Sequence, residues 1–354
     1  MLTGNKGEWS ELYAFCYLLA SGELHAADKD LNKLEHIYYP IIKIIREEFP
    51  GQTYNYEPGE KIKICLGSEP VKEVPKEEFD NAVKIMYEKI PSGQRAFSIE
   101  EVNDFFEDIC LKKLKANPMH KKDIVIQLHD INTGFSPICG FSIKSYLGAN
   151  PTLINPGENT NFVYIVHNCT DEIMNEINQI ETRTKIIDKI NRLIEFGCEL
   201  KPAEHLESAR FEENLQFIDT MMPRLLSLAV LYSYIYKLRT SKQIIDKMKE
   251  LNPLGYSNVQ MYEYKYKKML CACALGMTPE KDWEGDEDAN GGYIVVKRDG
   301  TVVCYHIYNR TDFEQYLFDY TCFDKASTSR YKYMDIYKDN EGYKIKLNLQ
   351  VRFT

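Results

Sequence analysis

The chain has 354 residues, of which 44% are hydrophobic, and a formal net charge of -9. That length can bury a full core and form one large or two modest domains. The acidic balance excludes an indiscriminate nucleic-acid binder, which needs a broadly basic surface to neutralise phosphates; charge is nonetheless segregated, with a heavily acidic stretch at 280–288 and a slightly basic balance from Gly291 onward.

The first residues, Met1-Leu-Thr-Gly-Asn-Lys-Gly-Glu-Trp9, are polar and carry no leader pattern. Ten scattered cysteines form no C-x-x-C pair, which points to a cytosolic chain with reduced thiols. Residues 7–20 read as a helix: Leu12, Phe15, Cys16 and Leu19 make an apolar stripe, and Gly22 ends it. Glu8 lies one turn before Leu12 on that stripe and Glu11 beside it. Acids at a first turn gain from the helix dipole, and on an inward face they need a positive partner. A second helix is expected at 38–49 and a strand at 61–65. Helices follow at 77–90 and at 99–115, the latter capped by Ser98 and broken at Asn117-Pro118.

The next segment carries the chemistry. Asp123-Ile-Val-Ile-Gln127-Leu and Gly140-Phe-Ser142-Ile-Lys144-Ser read as two strands about a turn at 131–134. Pairing about that turn sets Asp123 opposite Lys144, with Gln127 and Ser142 nearby. Strand side chains alternate, so these four polar groups share one face while Ile124, Ile126, Leu128, Phe141 and Ile143 share the other. An acid for a divalent metal and a lysine beside it are what metal-assisted phosphodiester hydrolysis requires. Beside that stands a plain cross-strand Asp–Lys pair.

Prolines and glycines at 148–157 mark a long loop, and a strand is expected at 161–166. Residues 170–251 read as mostly helical with breaks near 197–202 and at Pro223, and 262–274 as one more helix. The run 225–236 is apolar but too short to span a membrane. Beyond the acidic loop come a hairpin about Arg298-Asp-Gly300, a short helix at 311–320, the loop 324–330 and a last hairpin turning at 339–342. Cys271, Cys273, Cys304 and His306 are zinc-ligand types, but the first pair sits in an apolar helical run, where core cysteines are the better reading.

Asp123 and Lys144 match the first and last positions of the PD-(D/E)xK nuclease core, with Ser142 standing at the middle acid. Several blocks resemble the HpaII family of type II restriction endonucleases: Asn5-Lys-Gly-Glu-Trp-Ser-Glu-Leu-Tyr13, Gly140-Phe-Ser-Ile-Lys-Ser-Tyr-Leu-Gly-Ala-Asn-Pro-Thr-Leu-Ile-Asn155, Thr160-Asn-Phe162, and Gly292-Tyr-Ile-Val-Val-Lys-Arg-Asp-Gly-Thr-Val-Val-Cys-Tyr-His-Ile-Tyr-Asn309. Ser327-Thr-Ser-Arg330 and Lys344-Ile-Lys-Leu-Asn-Leu-Gln-Val-Arg-Phe353 extend the resemblance to nearly the whole chain. It implies a mixed α/β restriction-endonuclease-like core (1–169), a helical region (170–278) and a β-rich DNA-contacting region (291–354) compact with the core. It also implies Mg²⁺-dependent cutting of double-stranded DNA within CCGG.

On that reading Asp123 and a helix acid, Glu11 before Glu8, hold the metal. Magnesium prefers an anionic ligand, which a serine is not. Lys144 orients water, and Gln127 and Ser142 support. Ser327, Thr328, Ser329 and Arg330 suit a DNA-reading loop, since arginine takes guanine O6 and N7 together and hydroxyls bond phosphates; Asn161 and Arg310 are further DNA candidates. A palindromic target suggests a homodimer, with a cytosine methyltransferase as genetic partner. Two alternatives are a DNA-binding protein with a degenerate nuclease site and a structure-specific repair nuclease.

Overall fold

The computed structural model describes residues 1–115 and 122–354, so the Asn117-Pro118 break lies outside the described residues. Helix and strand are mixed along the chain. Two compact units result: Met1–Pro151 with Ala274–Gly276 and Glu287–Tyr316, and Thr152–Cys273 with Met277–Asp286 and Leu317–Thr354. The segment 291–354 contributes to both.

The first unit begins with helix α1 (Lys6–Ser21). The Asn5 side chain accepts from the Gly7 and Glu8 amides, the Glu8 carboxylate accepts from the Asn5 amide at 2.8 Å, and Gly22 closes the helix at φ 73°. This reciprocal cap satisfies amide donors that a helix start leaves open. The expected stripe of Leu12, Phe15, Cys16 and Leu19 is buried, and so are Trp9 and Leu18. The helix is therefore enclosed rather than laid on a surface.

Strands β1 (Glu23–Ala27), β2 (Lys33–Phe49), β3 (Gln52–Glu57), β4 (Lys61–Leu66) and β5 (Glu69–Pro75) precede helices α2 (Lys76–Lys89) and α3 (Asn103–Asp108). Strands β6 (Ile124–Leu128) and β7 (Ile138–Ser145) follow. The chain returns to this unit with the hairpin of Gly292–Val296 and Val302–His306. The sheet runs β1, Val302–His306, Gly292–Val296, β7, β6, β2, β3, β4, β5, and β1 also pairs with β2. Gly292–Val296 lies parallel to β7, Tyr293 beside Ser142 and Val295 beside Lys144. At Gly292, φ is 120° and a Cβ would meet the Tyr305 carbonyl oxygen at 2.0 Å, so only glycine allows that approach.

Three expectations change. Residues 38–49 are strand, not helix. Tyr39 and Ile41 are buried, then Ile44, Arg46 and Glu48: period two on either side of a shift in register between Ile41 and Lys43. That bulge spaces the apolar residues as a helix would, and the four isoleucines favour the strand. The helix expected at 99–115 is one short piece, α3, after a 3-10 turn. Cys110 takes φ 62°, the Leu111 amide turns back to the Phe106 carbonyl at 2.8 Å, and the Lys112 and Lys113 amides go to Glu48. Ser98 bonds the Thr3 hydroxyl at 2.7 Å instead of capping. The β6–β7 hairpin pairs Ile124 with Phe141, which sets Asp123 beside Ser142, two residues from the expected register but on the same face.

The second unit holds a four-stranded sheet, in order Glu199–Pro202, Asn161–His167, Gly342–Asn348, Ile336–Asp339. A three-stranded sheet runs Thr321–Asp324, Gln350–Phe353, Thr152–Ile154. Its helices include Asp171–Asn178, Lys185–Glu195, Ala209–Ile218, Met222–Ile235 and Ser241–Leu251. The expected break at Pro223 falls at residues 219–221, and Pro223 stands in the first turn of Met222–Ile235, where its missing amide costs nothing. Among the described residues no helix is long and apolar enough to cross a membrane.

One buried ion pair ties β2 to the segment after α3. Arg46 is 6% and Glu48 1% exposed. The Arg46 guanidinium donates to Glu48 and to the carbonyls of Lys113 and Leu114, and Glu48 Oε2 accepts the amides of Lys112 (2.8 Å) and Lys113 (3.0 Å). Glu48→Ala strands a buried guanidinium and two amides, and is expected to cost about 3–5 kcal/mol in urea unfolding. A loss below about 1 kcal/mol, the value of an exposed pair, would show that this contact does not anchor the segment.

Candidate active site

Glu11, Arg46, Thr53, Lys122 and Asp123 line a cavity of about 290 Å³ in the first unit, floored by Phe15 and Ile44. Three elements converge there. Helix α1 brings Glu11, β2 brings Arg46, and the chain entering β6 brings Asp123. The expected pairing of a helix acid with the strand acid is thus present in the geometry.

Asp123 is held by its hairpin. Its amide donates to the Phe141 carbonyl at 2.8 Å, and its Oδ2 accepts the Ile143 amide at 2.7 Å and the Ser142 hydroxyl at 3.2 Å. Ser142 is 1% exposed. The serine therefore supports the aspartate. A carboxylate with two such donors has few orientations left.

Glu11 is different. Its Oε2 is buried and has no hydrogen-bond partner. Burial first and the Asp123 charge second push its carboxyl up to about 8, against the Lys115, Lys144 and Arg46 charges, which pull it down. A buried carboxyl beside a second acid, with one oxygen orphaned, is a group that a bound cation would satisfy. Hard oxygen donors, one of them orphaned, fit a divalent ion such as the resemblance implies. Among the described residues no group of three or more His, Cys, Asp or Glu side chains gathers, so the protein would offer two carboxylates, a number suited to an ion that keeps waters and takes substrate phosphate. Cys304 is buried, as core cysteines are. Cys271 and Cys273 are buried in the helix Gln260–Leu275.

Other expected residues lie elsewhere. Glu8 is committed to the α1 cap. Gln127 donates to the Ser136 carbonyl at 3.0 Å, four strand residues, or about 13 Å, from Asp123; it does not support the site. Asn161 is 2% exposed, donates to the Tyr331 carbonyl at 2.9 Å and accepts from Asn348 at 2.8 Å, which makes it an interior brace of the second unit rather than a DNA contact. The Arg310 guanidinium is matched by both oxygens of Glu287, at 3.1 and 2.8 Å, so its charge is already answered. Ser327 caps the short helix Thr328–Tyr331, and Arg330 is exposed with its guanidinium 5.3 Å from the Tyr331 ring centre. Arg46 and Lys122 were not anticipated. Arg46 was hidden by the helical reading of its strand, while a basic residue directly before the strand acid was the available signal for Lys122.

Without a divalent ion, Glu11 gives the folded state more bound protons than the unfolded state between about pH 4.5 and 8. The stability from this group is fully present below its ordinary value of 4.5 and is lost as pH rises through about 8. In EDTA, wild-type urea midpoints should fall from about pH 5 to pH 8, while Glu11→Gln should fall less and exceed wild type at the alkaline end. Parallel pH profiles would mean that Glu11 is not held protonated.

The HpaII restriction endonuclease model matches residues 5–353. The chain is 40% identical to the type II restriction enzyme HpaII of Haemophilus parainfluenzae, over 99% of this chain and 98% of that protein. No solved structure matches. With the match running through both units, the chain belongs to the HpaII restriction endonuclease family.

Proposed function

We propose that this type II restriction endonuclease hydrolyses double-stranded DNA within CCGG, using Mg²⁺ held by Asp123 and Glu11, on a restriction-endonuclease-like core. The observation that carries the site is the opposition of Glu11 and Asp123 across one cavity, with the Lys144 charge within reach of Glu11. When bound, the metal stabilises charge on the phosphoryl oxygens and acidifies a water.

The protein's own groups do the rest. Ile143 and Ser142 hold Asp123 in place, so that it need not reorganise during reaction. Lys144 orients the attacking water and offsets the negative charge that grows on phosphorus. In an in-line displacement the water oxygen gives up a proton and bonds to phosphorus as the opposite ester oxygen leaves with its electron pair and takes up a proton. The 327–330 turn contributes to DNA contact. A two-fold pair of chains suits a palindromic target. The enzyme acts in the cytoplasm, where a cytosine methyltransferase protects the host's own sites.

Purified protein with Mg²⁺ should convert plasmid DNA to discrete fragments ending at CCGG, and EDTA should stop it. Asp123→Ala should abolish cutting, and Lys144→Ala should slow it on the order of 10²–10⁴-fold. Absence of cutting at CCGG would sink the target assignment. Full activity in either variant would sink the site assignment.

A further inference from the structure

The second unit brings cations together where no carboxylate answers them. Its helix Met222–Ile235 is capped by Tyr236, and the next residue, Lys237, has φ 56°. A left-handed position after a helix is ordinarily filled by glycine, since a Cβ there crowds the carbonyl. Lys237 is exposed and strained, and its place in the cap holds the start of its side chain. Two residues later the turn is stapled to the strand Thr321–Asp324: the Arg239 carbonyl accepts the Phe323 amide at 2.8 Å, and Thr240 bridges Cys322. Lys325 leaves that strand with its Nζ 5.0 Å from the ring centre of Tyr234, in the last turn of the same helix.

The Arg239–Phe323 bond lies two residues from each lysine, and both lysines are exposed. Lys325 is exposed as a residue, yet desolvation of its ammonium first and the Lys237 charge second hold it below its ordinary value. The adjacent carboxylate, Asp324, is used by Arg352 at 3.1 Å and by the Lys325 amide at 2.9 Å. Among the described residues no ion pair reaches Lys237, Arg239 or Lys325. In a chain of net charge -9, cations drawn together without a counter-charge leave room for an external anion. Ammonium groups act as point charges, and without the planar fork of arginine they suit a phosphate better than a base edge.

We infer that Lys237 and Lys325 clamp backbone phosphate of the DNA duplex, giving the second unit a sequence-independent hold on the substrate. The inference rests on duplex DNA as the substrate and names the residues that grip it.

Fluorescence anisotropy with labelled duplexes, one containing CCGG and one lacking it, tests the clamp across a salt series in EDTA, where no cutting occurs. Lys237→Gly removes the charge and the backbone strain together, so the variant should keep or raise its melting temperature. With Lys325→Ala added, the slope of log affinity against log salt should fall by about 2, one for each lost phosphate contact. Affinity should drop by a similar factor for both duplexes, and Lys325→Arg should retain it. A wild-type slope in the double variant, or a loss confined to the CCGG duplex, would overturn the clamp. Should the wild type bind neither duplex, the DNA reading itself fails and the clamp with it; wild-type binding with an unchanged variant slope removes the clamp alone.

Discussion

The burial of the Glu11 carboxyl beside Asp123 is the constraint around which the first unit is arranged. Burial keeps one of two neighbouring carboxyls protonated, because two charges there would cost more than in water. A fold that brings them together must hold both backbones firmly, or the side chains would turn apart. The enclosed helix α1 does this for Glu11 through Trp9, Leu12 and Phe15. The hairpin does it for Asp123 through the Ile143 amide. Arg46, two residues from Glu48 on β2, lends the cavity a positive wall while its hydrogen bonds serve the segment after α3.

Much of this was legible in the sequence, for identifiable reasons. Helix α1 announced itself by its stripe and terminal glycine, and the hairpin by alternation and a turn. Asp123 and Lys144 stood out by sharing the polar face of an alternating hairpin, and Glu11 entered only through the family resemblance. What escaped was decided by contacts distant in sequence. A bulge near Ile42 made β2 look helical. The exact pairing of β6 with β7 depends on how long the turn is, and the Asp130 carboxylate shapes that turn by taking the Asn132 amide and the Thr133 hydroxyl. Gln127 stands too far along its own strand from Asp123 to share its site, and its amide is taken by the Ser136 carbonyl. Asn161 looked like a surface amide because the residues that enclose it, Tyr331 and Asn348, come nearly two hundred positions later.

Net charge proves a coarse guide to what this chain can bind. Several acids are spent internally: Glu287 on Arg310, Asp324 on Arg352, Glu263 on Lys249 and Lys267. What a polyanion would meet is the local remainder after such pairing. Around the 237–240 turn that remainder is positive, though the chain as a whole is acidic.

The parallel pairing of β7 with Gly292–Val296 also carries a consequence for synthesis. Strand β7 carries Ser142 and Lys144 and has β6 on one side, but its other neighbour is made almost 150 residues later. A ribosome-bound chain that has emerged only to residue 290 still exposes an unfilled edge at the strand beside Asp123. Completing that edge requires closure of a very long loop, a step that is slow relative to local folding. With this chain order, the sheet beside Ser142 and Lys144 is completed only once the hairpin Gly292–His306 has been made.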